Sequence, residues 1–311
     1  MIKEENLIIS NEIVIGATVA YEDKNKKRPL VLLVMGTGKT NRDGNSFGFQ
    51  TNLYKNLSNM FVNMGCVCIR YDKRGTFEST GDYNTSGLFD LVNDAVTVIN
   101  YAKKLDYIDE EKIVVCGHSE GAMIATLLTK ILELRGIILL GGACMGLKEA
   151  LLYQNYLVVE QAQSMNGIFG WYLRKVLKKD KIKKQVSVLF DKAIKSNKPR
   201  YFYNGAFLNT KYMKEHASLT NEDYVNILRE YKGRVLAITG KSDIQADYRV
   251  LNSISLFDGV TVYTPQGVNH VLRKNDSETN VFNIKKEYRK VLKKDIYQGV
   301  KDTIENWLNE L

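Results

Sequence analysis

A serine with a glycine on either side is the first feature of this sequence that could carry out chemistry. Residues 114–125 read VVCGHSEGAMIA, so Gly117 stands two positions before Ser119 and Gly121 two positions after it. A tight turn from a strand into a helix strains the backbone of the serine and leaves no room for side chains at the flanking positions, which explains both glycines. The pattern predicts a raised hydroxyl that can act as a nucleophile.

A serine nucleophile needs a general base, and the chain has three histidines. His118 adjoins Ser119, so its side chain must point elsewhere, and we interpret it as a packing residue. His216 lies in the polar run KEHAS, and we expect it at the surface. His270 lies in PQGVNHVL, just after the last strand-like run. This position predicts that His270 reaches the same sheet edge as Ser119 and is the base.

An acid that orients the base is found at the end of another strand-like run. Residues 234–243 read RVLAITGKSD, with Asp243 following a turn glycine. An aspartate in a turn commonly bonds only its own backbone. Here the order Ser119, Asp243, His270 and the strand-end position favour a catalytic acid.

Short runs rich in valine and isoleucine supply the strands that would position these residues. Most of them do not alternate between apolar and polar residues, which is typical of strands buried on both faces of a parallel sheet. The predicted strands are 13–21, 30–35, 65–71, 112–116, 135–140, 234–239 and 260–263, and helical spacing covers 50–63, 88–105 and 296–311. Strands that alternate with helices predict an α/β fold with a mostly parallel, doubly wound sheet. The strand before the serine should end at Cys116 and the helix after it should begin at Glu120.

One long segment interrupts this alternation and carries most of the charge. The chain has a net charge of +9, and residues 145–232 hold 16 Lys and Arg against 8 Asp and Glu, a net +8. We predict that 145–232 is a helical cap over the carboxyl edge of the sheet, and that 1–144 with 233–311 form the catalytic domain. The basic excess fits a solvated helical surface. Attraction to acidic substrates, nucleic acid or an anionic membrane surface is the alternative.

The predicted cap is also rich in aromatic residues. Buried against the sheet domain, they would hold the cap in place. At this density some of them could instead line an apolar acyl or aryl pocket. We expect most to pack and a few to line the pocket; they are Tyr153, Tyr156, Phe169, Trp171, Tyr172, Phe190, Tyr201, Phe202, Tyr203 and Phe207.

Several other kinds of protein are disfavoured by composition. No apolar run approaches the roughly 20 residues of a membrane helix, so no stable membrane insertion is expected. The N-terminus, MIKEENLIIS, lacks the apolar core of a signal peptide, which favours a cytoplasmic protein. The four cysteines have no metal-ligand spacing, and three of them lie in apolar runs. We expect free thiols, no metal and no cofactor.

Five stretches together resemble a known family. They are MGTGKTNRDGN (35–45), RYDKRGTFESTGDY (70–83), CGHSEGAMIA (116–125), ITGKSDIQ (238–245) and GVNH (267–270). In this order they look like a bacterial serine-hydrolase group of the α/β-hydrolase fold, related to capped esterases and to dienelactone-hydrolase-like and prolyl-oligopeptidase-like enzymes. The cap matches no pattern of that group.

The resemblance implies roles for the loops around the serine. Residues 36–38 stand where the family has the loop after its third strand, so the backbone N–H groups of Thr37 and Glu120 would form the oxyanion hole. Where the family commonly has His-Gly, this chain has Met35-Gly36. Four charged residues would fix the loops themselves or would instead lie at the surface: Arg42, Asp43, Asp72 and Arg74.

The expected chemistry is two-step acyl transfer on a small-molecule acyl substrate. A carboxylic ester of a small or medium substrate comes first, and a peptidase or amidase, or a thioesterase, would use the same three residues. A non-catalytic binding protein of the same fold is the alternative from a different class, and the filled positions 119, 243 and 270 argue against it. No nucleic-acid-binding motif is present, so no nucleic acid is expected as a partner. A homodimer through the cap is compatible with the sequence.

Overall fold

The protein is built around one large β-sheet with helices on both faces. The structure, a computed structural model, describes residues 1–275 and 279–311. Its strands are β1 (Lys3–Ser10), β2 (Val14–Tyr21), β3 (Arg28–Val34), β4 (Asn45–Ser46), β5 (Phe49–Gln50), β6 (Val67–Tyr71), β7 (Ile108–His118), β8 (Gly136–Leu140), β9 (Arg200–Tyr203), β10 (Ala206–Asn209), β11 (Arg234–Ile238) and β12 (Val260–Tyr263).

The helices alternate with the strands of the sheet except in one long segment. They are α1 (Leu53–Asn63), α2 (Leu88–Ala102), α3 (Glu120–Leu128), α4 (Leu147–Ser164), α5 (Gly167–Val176), α6 (Lys179–Lys195), α7 (Thr210–Ala217), α8 (Asn221–Glu230), α9 (Ile284–Val291) and α10 (Gln298–Asn309). Two short 3-10 helices span Tyr248–Ser253 and Val281–Asn283.

Eight strands form the main sheet in the order β1-β2-β6-β3-β7-β8-β11-β12. The strands from β6 to β12 in this order run parallel to one another. Among the eight strands described in this sheet, β2 alone runs in the opposite direction, because it pairs antiparallel with both β1 and β6. Parallel strands need crossover connections, and here α1, α2 and α3 supply three of them. The predicted α/β fold with a mostly parallel, doubly wound sheet is therefore confirmed.

Both faces of the central strands are buried, as their continuous apolar runs predict. In β3, Leu30, Leu32 and Val34 face one apolar cluster. Val31 and Leu33 face the other cluster, on the opposite side of the sheet. The first cluster packs against α2 and α3, and the second packs against α1 and α10. Neither surface of these strands meets water, so an alternating pattern was never required.

Residues 145–232 lie between β8 and β11 and contain α4 to α8. Part of this segment has its own apolar cluster, which includes Val159, Phe190 and Tyr201. The β9–β10 hairpin was not predicted, because its strands are only four residues long. The last helix of this segment, α8, does not join that cluster. It buries Tyr224 and Leu228 in the first apolar cluster, on one face of the sheet.

Two strands of the main sheet differ most from the prediction. The strand before Ser119 does not end at Cys116; β7 continues to His118, which pairs with Leu140 of β8. The edge strand β1 was also missed, because its sequence KEENLIIS is mostly polar and exposed. Backbone pairing with β2, and not an alternating sequence pattern, holds this segment as a strand.

The turn from β7 into α3 is too crowded for side chains on either side of Ser119. A Cβ atom at Gly117 would lie 2.0 Å from the carbonyl oxygen of Gly121. A Cβ atom at Gly121 would lie 2.0 Å from the carbonyl oxygen of Val34 in β3. Carbon and oxygen atoms cannot approach so closely, so strand and helix would have to separate.

We expect Gly121→Ala to lower the free energy of unfolding by about 3 kcal/mol, because the added methyl group strikes the backbone of a central strand. Urea unfolding followed by circular dichroism measures the change. Ser119→Ala is the matched control, since it keeps the Cβ atom and should stay within about 1 kcal/mol of wild type. Equal midpoints for Gly121→Ala and wild type would show that this turn tolerates a side chain.

Candidate active site

Ser119 lies at the carboxyl edge of the sheet, in a strained conformation. Its backbone angles are φ 58° and ψ −123°, which a residue with a side chain rarely adopts. Its N–H donates to the carbonyl oxygen of Leu140 over 2.8 Å, which ties the turn to β8. The serine lines a cavity of about 370 Å³. Ser119 therefore borders a space large enough for a small organic molecule.

His270 lies in the wall of the same cavity and is held by Asp243. Nδ1 of His270 and Oδ2 of Asp243 are 2.8 Å apart. The other carboxylate oxygen accepts hydrogen bonds from the backbone N–H groups of Gln245 and Ala246. Because a carboxylate only accepts, the neutral imidazole carries its proton on Nδ1, which leaves Nε2 free to take up a proton.

Gly141 leaves space for this pair. A Cβ atom there would lie 3.1 Å from Oδ2 of Asp243 and 3.2 Å from Nδ1 of His270. Its φ of +59° is also in the region that favours glycine. Gly141 was not predicted as a site residue, although it directly follows the predicted strand 135–140.

Thr37 and Glu120 line the cavity together with Ser119. Among the described residues, neither backbone N–H group has a hydrogen-bond acceptor. Gly36 lies so close that a Cβ atom there would be 2.8 Å from the Cβ atom of Ser119. The structure thus brings the two proposed donors, the serine and the histidine to one cavity.

A chain of hydrogen bonds joins the Gly36 loop to the backbone of His270. Gly36 N–H donates to the Tyr54 hydroxyl over 2.8 Å, and that hydroxyl lies 3.1 Å from Nδ1 of His118. Nε2 of His118 lies 2.8 Å from the carbonyl oxygen of His270. Since a carbonyl can only accept, His118 carries its proton on Nε2 and accepts the Tyr54 hydroxyl proton on Nδ1.

His118 is therefore more than the packing residue that the sequence suggested. Burial lowers its pKa to about 3, and the neighbouring His270 ring acts in the same direction. The ring stays neutral near pH 7, as its two hydrogen bonds require. Tyr54 was also missed, because a tyrosine within an amphipathic helix is indistinguishable from a core residue in the sequence.

The side chain of Glu120 forms a second buried cluster, with residues of the cap. Its Oε1 accepts from the Tyr212 hydroxyl at 2.5 Å and lies 3.1 Å from Nε2 of His216. The expectation that His216 is at the surface is wrong: it is buried, and both partners come from α7. Its polar neighbours in the sequence face outward, whereas its own position faces the sheet domain.

Glu120 remains an acceptor despite its burial. Burial alone would raise the pKa of its carboxyl group, but the hydrogen bond from His216, the charge of Lys73 and the Tyr212 hydroxyl outweigh burial and lower it. Lys73 is itself buried, and its ammonium donates to the carbonyl oxygen of Gly36 over 2.5 Å. Lys73 thus connects the carboxylate with the loop that holds Thr37.

The four charged residues expected to fix the loops form three buried or half-buried ion pairs. Arg42 binds Asp72 at 2.6 Å, which joins the two loops to each other. Asp43 binds Arg70 of β6 at 2.7 Å. Arg74 binds Asp94 of α2 at 2.5 Å.

The cavity wall differs from the one that the aromatic pattern suggested. None of the ten aromatic residues singled out in the cap lines the cavity that contains Ser119. Phe207 and Tyr153 each line a neighbouring cavity. Residues 145–232 contribute Leu147, Ala150, Leu151 and Gln154 of α4 and Tyr212 and His216 of α7 to the main cavity.

Within residues 1–275 and 279–311, no cluster of three or more His, Cys, Asp or Glu side chains could hold a metal ion. None of the helices described there has the length and hydropathy to cross a membrane. All four cysteines are buried free thiols, as predicted.

The chain matches a family model described as serine aminopeptidase, S33, over residues 47–214. The chain belongs to this family. The match places the protein among the α/β-hydrolases and includes Ser119, whereas Asp243 and His270 lie beyond the matched residues. A comparison with curated proteins gives no match.

Several solved structures share the fold. Est1E from Butyrivibrio proteoclasticus, with ferulic acid bound, has 17% identity, a TM-score of 0.56 and coverage of 91% of this chain and 96% of its own. The esterase Pf2001 from Pyrococcus furiosus has 12% identity, a TM-score of 0.58 and coverage of 99% and 91%. DcsB, in complex with its substrate analogue, has 14% identity, a TM-score of 0.61 and 99% coverage of both chains. At these identities the likeness establishes the fold alone.

Burial of neutral His118 predicts a specific pH dependence of stability. Its pKa is about 3 in the folded protein and 6.5 in an unfolded chain. Between these values the unfolded state binds the extra proton. The contribution of neutral His118 to the free energy of unfolding is therefore fully present above pH 6.5 and falls by up to about 1.4 kcal/mol per pH unit below it. Urea unfolding between pH 7 and pH 4 should show a shallower decline for His118→Gln than for wild type. Parallel pH profiles would contradict a buried neutral His118.

The Glu120 cluster predicts energetic coupling between α7 and the start of α3. His216→Phe removes a donor from a buried carboxylate and should lower the free energy of unfolding by about 2 kcal/mol. Adding Glu120→Gln, which removes the charge, should recover part of this loss. Denaturant unfolding of the two single variants and the double variant measures the coupling. Strictly additive effects would mean that His216 and Glu120 do not interact.

Proposed function

We propose that the protein is a serine hydrolase that cleaves carboxylic esters through Ser119, His270 and Asp243. The observation that carries this proposal is the pair His270–Asp243, with Nδ1 and Oδ2 2.8 Å apart, in the wall of the cavity that Ser119 also lines. A serine and a histidine in one cavity wall, with the histidine held by a carboxylate, are the parts that acyl transfer requires.

The first half of the reaction forms an acyl-enzyme. His270 Nε2 takes the proton from the Ser119 hydroxyl as the oxygen attacks the carbonyl carbon, and Asp243 stabilises the imidazolium that results. Negative charge then develops on the former carbonyl oxygen. The N–H groups of Thr37 and Glu120, which have no acceptor among the described residues, would donate to it. The alcohol leaves with the proton from His270.

The second half releases the acid. Water loses a proton to His270 and attacks the acyl carbon, and the bond to Ser119 breaks with return of that proton. The cavity volume of about 370 Å³ suits a small or medium acyl group. Met123, Met145, Leu147 and Leu151 contribute apolar surface to it, which favours an apolar acyl or alkoxy part.

An ester is preferred over an amide because Pf2001, a structural neighbour named as an esterase, shares the fold over almost the whole chain. The name of the matched family, serine aminopeptidase, supports an amide or peptide as the second candidate. A thioester would use the same residues. A non-catalytic binding protein would retain the cavity but would not need Ser119.

Hydrolysis of 4-nitrophenyl esters tests the proposal. Wild type should hydrolyse a series from acetate to decanoate, and Ser119→Ala should lower kcat/KM by about 10⁴-fold or more. Asp243→Asn should lower it by about 10⁴-fold while leaving the fold intact, because the histidine loses its correct tautomer. Adding the 4-nitrophenyl ester of ferulic acid tests an aromatic acyl group, prompted by the ligand of Est1E.

Labelling with a fluorophosphonate separates an inactive serine from an unsuitable ester. Wild type should be labelled at Ser119, and Ser119→Ala should not be. Labelling without ester hydrolysis would shift the proposal to amides or peptides. If wild type is not labelled and hydrolyses none of the esters, the hydrolase proposal is overturned in favour of a binding protein.

A further inference from the structure

Helix α5 in the cap exposes four large apolar side chains. Ile168 is 87% exposed, Phe169 61%, Trp171 52% and Tyr172 55%. We call these four residues the α5 face. At 100° per residue they lie within an arc of about 160°, so they form one side of the helix. Gly170, between them, is buried against Met165 on the other side.

This amount of apolar surface is unusual for one short helix. Single exposed apolar residues are common, but contiguous exposed patches mark surfaces that bind something. Tryptophan and tyrosine are the residues enriched where protein meets the water–lipid boundary, because each joins an apolar ring to a polar group.

The chain around the α5 face is strongly basic. Residues 167–184 hold seven Lys and Arg and a single acid, Asp180. Lys175 lies on α5 itself, with its ammonium 4.0 Å from the centre of the Trp171 ring. Four further lysines stand at the start of the next helix, α6. They are exposed and, among the described residues, have no carboxylate partner: Lys178, Lys181, Lys183 and Lys184.

We infer that the cap docks on the surface of an anionic lipid bilayer through the α5 face. The apolar side chains would enter the boundary between headgroups and acyl chains, and the lysines would meet lipid phosphates. No described helix is able to cross a bilayer, so the contact is adsorption. This inference goes beyond the proposed hydrolase function and does not depend on it.

Charge favours a membrane over a second copy of the chain. In a symmetric dimer through α5, the basic residues of 167–184 would face the same residues of the other copy, and like charges would repel. An anionic bilayer presents the opposite charge over its whole surface. It also accepts apolar side chains without requiring a complementary pocket.

Vesicle binding by the full-length protein tests this inference. Two probes are compared: vesicles of phosphatidylcholine alone, and vesicles with about one third phosphatidylglycerol. We expect sedimentation with the anionic vesicles at least about tenfold tighter than with the neutral ones, weakening as salt rises. Trp171 reports contact directly, because the other tryptophan, Trp307, is buried. Its emission should shift to the blue only with anionic vesicles.

Variants separate the apolar and the electrostatic parts. Ile168→Ser with Phe169→Ser should lower vesicle affinity about tenfold or more and leave the Trp171 reporter in place. Leu256→Ser, at a residue 93% exposed outside the cap, is the matched control and should bind as wild type does. Both variants should unfold at the same denaturant concentration as wild type, since the altered side chains are exposed.

The four unpaired lysines are tested by a matched pair of charge variants. Glutamine at Lys178, Lys181, Lys183 and Lys184 should reduce binding to anionic vesicles at least about tenfold. A control with the same change of charge carries glutamine at Lys26, Lys27, Lys104 and Lys112, which are exposed elsewhere. Equal losses in the two variants would attribute binding to net charge alone and overturn a role for this surface.

Two further results would overturn the inference. One is the absence of vesicle binding by wild type at low salt. The other is a stable dimer by light scattering that becomes monomeric in Ile168→Ser with Phe169→Ser, because the α5 face would then be covered by a second copy. Ester hydrolysis in solution should be equal in wild type and this variant, so failure of the membrane inference is distinguishable from failure of the hydrolase proposal.

Discussion

Close packing around Ser119 is the constraint on which the rest of the structure depends. Three strands and one helix meet at this residue, and four neighbouring positions leave no space for a Cβ atom. Those positions are Gly36, Gly117, Gly121 and Gly142. This close packing holds the ends of β3, β7 and β8 and the start of α3 together at one point. The serine is consequently placed by backbone atoms, which are the least mobile parts of a protein.

Hydrogen bonding extends this placement from the serine to the histidine. Gly36 and His270 belong to loops that are far apart in sequence, yet Tyr54 and His118 connect their backbones. Since His118 remains neutral over the physiological range, the connection does not change with ordinary variations in pH. The loop that would stabilise an oxyanion and the loop that would supply the base are thereby held in register by uncharged, buried groups.

The sequence was most informative where local geometry alone decides the residue type. The glycines around Ser119 follow from the turn, and the buried strands follow from unbroken apolar runs, so the fold could be predicted. The supporting polar groups could not. His118 and His216 look ordinary in the sequence, because their partners Tyr54 and Glu120 are brought to them only by the folded chain. The polar edge strand β1 was missed for the same reason: its order comes from pairing with β2.

The contact between Glu120 and α7 limits how the cap could be exchanged. Many side chains of the predicted cap face water. Positions 212 and 216 are different, since their side chains satisfy a buried carboxylate next to the serine. A cap transplanted from another hydrolase would strand that carboxylate without donors unless it brought equivalent ones. A redesign of substrate preference in this protein therefore has to change residue 120 and the cap together.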